Sequence, residues 1–322
     1  MIITKTPFRV SFVGGLSDLR QYYQHGFGSV VSTTVNKYIY VTVNRKFDES
    51  IRVSYSKTEI VNHIDDIQHP IVREALKLTG IDGGLEITTI ADIPSSTGLG
   101  SSSAFAVGLL NALYAFKREH KGAETLAHMA CMIEIERLKE PIGKQDQYAA
   151  AFGGFNHIRF NADETVFVNP IVMKPQTKQE LDHNLLMFYT GVQRKASSIL
   201  TESKDNMNEL LSYVDSLRDL AEETAKALKQ NELSRFGNLL HTAWELKKKT
   251  GRVSNMEIDT VYEKARSAGA LGGKILGAGG GGFILLYCEE QYQEKVRNAL
   301  HGLKELSFTL EPQGSRIIYM EE

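Results

Sequence analysis

The period of hydrophobic positions changes several times along the chain. Residues 8–13 alternate as Phe-Arg-Val-Ser-Phe-Val and stop at Gly14-Gly15, which predicts a strand and a turn. Residues 30–44 are rich in Val, Thr, Ile and Tyr and predict one or two strands; 51–55 and 85–90 predict two more. Residues 71–78 follow a helical period. Residues 103–117 form a strong helix pattern behind a Ser cluster suited to capping it, and 123–138 and 145–152 predict two further helices. After a strand at 185–189, helices are expected at about 199–228, 233–249 and 257–268, with Leu210, Val214, Leu217, Ala221 and Leu228 on one core face. Residues 275–276, a glycine run and 283–288 predict strand, turn and strand, followed by a helix at 291–303 and a strand at 315–320. Strands and helices intermix without regular βαβ alternation, so the fold class is α+β. The polar segment 170–182 carries two prolines and suggests a boundary, giving domains 1–175 and 176–322. No internal repeat or low-complexity tract interrupts this order.

Composition narrows the function classes. The 322 residues are 42% hydrophobic and 24% charged, which excludes wholesale disorder. A formal net charge of -2 argues against a dedicated nucleic-acid binder. Cys131 and Cys288 lack CxxC spacing, and two cysteines make no disulfide framework, so a reducing cytoplasm is expected. Lys5 and Arg9 break the amino-terminal apolar stretch, so no signal-peptide core is expected there. The apolar run 104–116 is too short to span a bilayer and contains Asn111, so no membrane partner is expected. The nine histidines form no HExxH-like cluster, and His69 and His241 suit packing better than metal binding.

The chemistry concentrates at Pro94-Ser95-Ser96-Thr97-Gly98-Leu99-Gly100-Ser101-Ser102-Ser103. Two glycines and several hydroxyls stand between a strand and a long helix. Glycine lets backbone approach an anion, and free N–H groups at a helix start favour negative charge. A polyphosphate cradle and a Ser-rich capped turn both fit. A Walker A loop does not, because the Gly-Lys-Ser/Thr ending is missing. Gly277, Gly279 and Gly282 match G-x-G-x-x-G, but the run leads into a strand, whereas a dinucleotide fingerprint opens a helix.

The 94–103 loop resembles the second signature of the GHMP kinases, named for galactokinase, homoserine kinase, mevalonate kinase and phosphomevalonate kinase. Arg9-Val10-Ser11-Phe12-Val13-Gly14-Gly15-Leu16-Ser17-Asp18 resembles the first signature, and Lys274-Ile275-Leu276-Gly277-Ala278-Gly279-Gly280-Gly281-Gly282-Phe283 the third. The three occur in family order across nearly the whole chain. Residues 143–154, 189–194 and 244–248 are most similar to the branch that phosphorylates heptose 7-phosphates. Leu16 and Ser17 depart from that branch, which usually has Gly and Thr there; Leu16 narrows the backbone freedom of the loop. The resemblance implies two domains, the first like domain 2 of a ribosomal protein and the second ferredoxin-like, with the site between them.

It also implies roles. Asp146 would face the substrate hydroxyl as base or orienting group, although an Asp there also suits a helix N-cap, and Arg9 would steady the transferring phosphoryl group. Ser96, Thr97, Gly98, Leu99, Gly100, Ser101, Ser102 and Ser103 would hold the ATP phosphates. Ser102 and Glu136 would hold Mg²⁺, with Glu134 the neighbouring alternative. Gly14, Gly15, Ser17, Asp18, Lys144, Gly191, Arg194 and Lys247 would meet the sugar or its phosphate, and Gly277, Gly279, Gly280 and Gly281 would buttress the loop. Lys195, Ser197, Ser198 and Lys248 are further phosphate candidates, and Trp244 would stack on the sugar or sit in the core. The implied reaction is ATP-dependent phosphorylation of the anomeric hydroxyl of a heptose 7-phosphate, feeding nucleotide-activated heptose and surface polysaccharide synthesis. A sugar 1-kinase acting on an unphosphorylated sugar and an idle sugar-nucleotide sensor on the same fold are the alternatives. The expected partners are ATP and a sugar phosphate, with a homodimer as the candidate assembly.

Overall fold

The computed structural model describes residues 1–191, 207–251, 253–277 and 279–321. The first half runs β1 (Ile2–Val13), α1 (Arg20–Tyr23), β2 (Phe27–Arg45), β3 (Ile51–Ser54), β4 (Thr58–Val61), α2 (Pro70–Thr79), β5 (Leu85–Ala91), α3 (Ser101–Phe116) and α4 (Ala123–Cys131). A π-helical stretch, Met132–Arg137, continues α4, and α5 (Gln145–Phe152), β6 (Phe155–Asn161) and β7 (Val166–Pro170) follow. The β-branched run expected as one or two strands is the single long strand β2. One edge of β2 pairs antiparallel with β1; along the other, Phe27–Thr33 meets β6 and Ile39–Arg45 meets β5. α3 lies against β1 and β2, flanked by α2, α4 and α5. Every residue from Ser103 to Ala115 is buried, so α3 reads as small and apolar on all sides rather than amphipathic.

The remainder is α6 (Pro175–Asn184), β8 (Leu185–Tyr189), α7 (Met207–Lys229), α8 (Leu233–Lys249), α9 (Met256–Ser267), β9 (Gly272–Ile275), β10 (Phe283–Tyr287), α10 (Glu290–Ala299), β11 (Lys304–Glu305), β12 (Leu310–Glu311) and β13 (Arg316–Met320). The second sheet is antiparallel in the order β11-β8-β10-β9. Fourth, first, third, second is the ferredoxin-like order, with helices linking first to second and third to fourth strands. Its strands divide by parity. Leu185, Met187, Phe283 and Leu285 join the large core shared with the first sheet, while Leu186, Phe188, Ile284 and Leu286 join a second core under α9 and α10.

Two sequence expectations change. The polar segment around 175 is a helix, because Pro175 sits at its first turn, where a missing N–H costs nothing. The chain after β11 leaves the second sheet: β12 pairs with β2 and β13 with β1, so Leu310–Met320 belong to the first sheet rather than to a domain 176–322. The apolar run Ile317–Met320 marks β13 as a strand but carries no information about which sheet it joins, and the two-residue β12 has no sequence mark of its own.

Candidate active site

A cleft of about 920 Å³ runs between the two sheets, past the amino-terminal end of α3. Arg9 comes from β1, where the strand alternation turns its side chain and that of Ser11 to the cleft. Arg9 is buried, with its guanidinium shared between two partners. Nε and Nη2 donate to Asp146 Oδ1 and Oδ2 at 2.6 and 2.7 Å, and Nη1 donates to the Gly98 carbonyl at 2.6 Å. This fork-to-fork pairing fixes the carboxylate plane. Asp146 lies in the first turn of α5 and lines the cleft beside Gly100.

The 94–100 loop presents backbone to the cleft and delivers the chain into α3. A Cβ on Gly98 would stand 2.5 Å from the Leu276 carbonyl, and one on Gly277 2.6 Å from the Gly98 Cα. Only glycine fits at that contact, which presses the glycine run against the phosphate-type loop. Gly279 and Gly281 line the cleft as well, whereas Gly280 donates its N–H to the Val253 carbonyl and lies behind it. Ser96, Gly98, Gly100, Ser101, Ser102 and Ser103 face the cleft. Thr97 and Leu99 are buried and support the loop: Thr97 Oγ1 donates to the Pro94 carbonyl, and the Leu99 carbonyl accepts from Arg9 N–H.

Ser102 does not meet Glu136, which is exposed. Its hydroxyl donates to Glu134 Oε1 at 2.6 Å, and Gln147 Nε2 donates to the other oxygen at 2.6 Å. Burial raises the Glu134 pKa, against the hydrogen bonds from Ser102, Ser103 and Gln147. The π-helical widening over Met132–Arg137 makes helical parity an unreliable guide to which Glu points inward, and sequence spacing alone could not separate them. Glu134 and Ser102 are hard oxygen donors at a helix start beside a phosphate-type loop. Such a pair suits Mg²⁺, which keeps waters and phosphate oxygens among its ligands. Among the described residues no cluster of three or more His, Cys, Asp or Glu offers a metal site.

Asp18 is fully buried yet lines the cleft, with Leu16 N–H on Oδ1 at 3.1 Å and Gln145 N–H on Oδ2 at 3.2 Å. Burial first, then the charge of Asp146, pushes its pKa up to about 6. Gly15 and Leu16 line the cleft with it. Leu16 holds φ at 82°, a left-handed conformation that costs a bulky residue roughly 1–3 kcal/mol. Gly14 and Ser17 have a structural role instead: Ser17 Oγ donates to the Gly14 carbonyl at 2.7 Å and accepts from Ser29 N–H at 2.9 Å, tying the loop to β2.

Two buried lysines face Asp18 across the cleft. Lys247 Nζ donates to the Gly277 carbonyl at 2.7 Å, and Lys274 Nζ to the Phe12 carbonyl at 3.0 Å. Burial, then Arg9, brings Lys247 down to about 8; burial, Lys247 and Arg9 hold Lys274 well below the usual lysine range. Sequence reading named Lys247 but treated Lys274 only as part of a glycine signature. The signal for it was a Lys in an otherwise apolar buried strand, a position lysine rarely takes. Ser11 was missed in the same way: its hydroxyl is buried, lines the cleft and has no hydrogen-bond partner among the described residues.

The other sugar-site expectations fall elsewhere. The Lys144 ammonium pairs with Glu164 beside the Tyr23 ring and does not line the cleft. Gly191 is exposed outside it. Lys248 pairs with Glu245 on the surface, and Trp244 is packed beside Tyr262 in the second core. Arg194, Lys195, Ser197 and Ser198 lie outside the described residues. His241 bonds to the Tyr262 hydroxyl, the packing role expected of it. His69 packs against Tyr55 and Phe105, and all three line the cleft, as do Ile39 and Thr89.

Residues 66–154 match the model of the GHMP kinases N terminal domain, and residues 224–304 that of the GHMP kinases C terminal. The chain is 30% identical to the D-glycero-alpha-D-manno-heptose 7-phosphate kinase of Campylobacter jejuni, over 96% of this chain and 97% of that one. It is 27% identical to the galactokinase of Pyrococcus furiosus, over 93% and 92%. Among solved structures, a D-glycero-D-manno-heptose 1-phosphate kinase from Bacteroides thetaiotaomicron superposes with a TM-score of 0.82 at 26% identity, covering 100% of both chains. The galactokinase of Lactococcus lactis shares the fold at 18% identity, with a TM-score of 0.77 over 98% and 94%.

Proposed function

Since the chain belongs to the GHMP kinase family, we propose that it transfers the γ-phosphoryl group of ATP to the anomeric hydroxyl of a heptose 7-phosphate. The observation that carries the catalytic part is the Arg9–Asp146 fork at the mouth of the 94–103 loop. With both carboxylate oxygens oriented by one guanidinium, Asp146 accepts a hydrogen bond from the attacking hydroxyl through its remaining lone pairs and orients it, taking the proton as the oxygen–phosphorus bond forms. Arg9 is bonded to Asp146 on one side and Gly98 on the other, so its charge lies between the acceptor and the phosphate loop, where negative charge develops.

The N–H groups at the start of α3 and the serine hydroxyls of 96–103 hold the nucleotide phosphates. The part of the cleft lined by Ile39, Tyr55, His69 and Phe105 takes the base. Ser102 and Glu134 would hold Mg²⁺, which would supply positive charge against that of the phosphates. Asp18 accepts hydrogen bonds from ring hydroxyls of the acceptor.

The heptose 7-phosphate reading is supported by the 30% identity to a kinase of that name and by two buried ammonium groups facing the acceptor side. Among the described residues neither Lys247 nor Lys274 has a carboxylate in ion-pair contact, so a substrate dianion would supply the missing counter-charge. A kinase for an unphosphorylated sugar is the second reading, favoured by the Lys144 ammonium being committed to Glu164. Arg9, Asp146, Ser102 and Glu134 together argue against an idle sensor. A coupled ADP-release screen of heptoses, hexoses and their terminal phosphates, with the product phosphate placed by NMR, tests the proposal. Turnover of free sugars at the rate of their phosphates would overturn the 7-phosphate assignment, and no turnover of any sugar the kinase assignment.

A further inference from the structure

The left-handed turn at Leu16 serves Asp18, because it points the Leu16 N–H at Oδ1 of that carboxylate. The N–H is a backbone group, and glycine would present it from the same φ without strain. Hydrogen bonding therefore accounts for the turn and leaves the leucine side chain unaccounted for. That side chain is half-buried and lines, with Asp18, a cleft whose walls carry Leu19 and Ile142 as well as the polar or charged Arg9, Ser11, Gln145 and Lys247. A strained residue persists where its surroundings over-determine it, and such residues cluster at ligand sites.

We infer that Leu16 is the specificity-determining contact of the acceptor site, its isobutyl group packing on the C–H face of the sugar that Asp18 holds by its hydroxyls. The inference rests on the kinase reading and adds to it the kind of sugar: one presenting carbon-bound hydrogen, not a hydroxyl, toward the Leu16 side chain. A hydroxyl aimed at Leu16 loses its water and gains no partner. Apolar walls reject such an epimer only modestly, on the order of 10- to 100-fold.

The test uses the full chain and two variants, Leu16→Ala and Leu16→Gly, with kcat/KM measured over a panel of epimeric hexoses, heptoses and their terminal phosphates. Both variants lose the isobutyl group, but only glycine also relieves the left-handed strain. The expected result is that both compress the spread between the best acceptor and its epimers by roughly 10-fold, with KM for ATP within about twofold of wild type. An unchanged spread in both, even with a lowered Tm, would make Leu16 a packing residue and overturn the inference. So would a change confined to Leu16→Gly, which would place selectivity in the backbone. If the wild type phosphorylates some panel sugars and the spread is unmoved, the inference fails and the kinase reading stands; if it phosphorylates none, the kinase reading itself fails.

Discussion

Arg9 Nε and Nη2 grip the two oxygens of Asp146 at 2.6 and 2.7 Å, joining positions 137 residues apart in the chain. β1 and the first turn of α5 thus meet through one ion pair that lines the cleft. The pair makes Asp146 an oriented group before any substrate arrives. Asp146→Asn keeps the shape but loses the charge and one acceptor, and kcat should fall ~10²–10⁴-fold. ATP affinity, read by calorimetry, should shift by no more than a few-fold. Wild-type turnover in the Asn variant would remove Asp146 from the role of catalytic carboxylate.

The metal assignment is tested by three variants. Ser102→Ala and Glu134→Gln each remove an oxygen ligand or its charge and should raise the Mg²⁺ concentration for half-maximal rate by roughly 10-fold or more. Glu136→Gln, at an exposed position, should titrate like wild type. A shifted curve for Glu136→Gln with a normal one for Glu134→Gln would return the role to Glu136.

Much of this arrangement was legible in the sequence because it lies in contiguous signatures. The 9–18, 94–103 and 274–283 segments each carry their own turn chemistry, and the structure brings them to one cleft. What escaped depended on rotation and on long-range packing. Glu134 and Glu136 are two residues apart, and a π-helical turn decides which one enters the core. Lys144 follows Gly143 in a signature segment, yet Glu164, reached only by folding β6 and β7 back, captures its ammonium. Lys274 looked like part of a glycine motif until the pairing of β9 with β10 and its contact with Phe12 placed it in the cleft. The return of β12 and β13 to the first sheet has no local signature at all.

Asp18 should show a trade of stability for function. Its folded pKa of about 6 lies above the ordinary aspartate value of 3.8, so folding is penalised when the carboxylate is ionised. The penalty is fully present above about pH 6, shrinks as the pH falls through that value, and vanishes below the unfolded pKa. Asp18→Asn should therefore raise stability at pH 8, by up to roughly 3 kcal/mol, with the gain fading toward pH 4. The same variant should lose acceptor affinity. Denaturant titrations at pH 4, 6 and 8 check the first part; a constant difference across the three would mean that Asp18 ionisation is not the source.

If the acceptor is a sugar phosphate, Lys247 should discriminate between it and the free sugar. Its ammonium is buried and held down to about 8 by that burial and by Arg9. The folded value lies below the lysine value of 10.5, so the stability penalty is present below about pH 8 and fades as the pH rises toward 10.5. Lys247→Met should accordingly raise Tm at pH 7 and lose that advantage near pH 10. A terminal phosphate beside the ammonium favours its protonated form, so wild-type affinity for a sugar phosphate should weaken as the pH passes above about 8. The Met variant lacks the charge-assisted hydrogen bond, worth ~1.5–3 kcal/mol, or roughly 10- to 150-fold in affinity. Its KM for the sugar phosphate should be higher by that factor and flat between pH 7 and 9, while KM for ATP changes little. The free sugar should be affected far less than its phosphate. Equal losses on both acceptors would give Lys247 a general role in shaping the cleft, through its bond to the Gly277 carbonyl, and would shift weight to the kinase for unphosphorylated sugars.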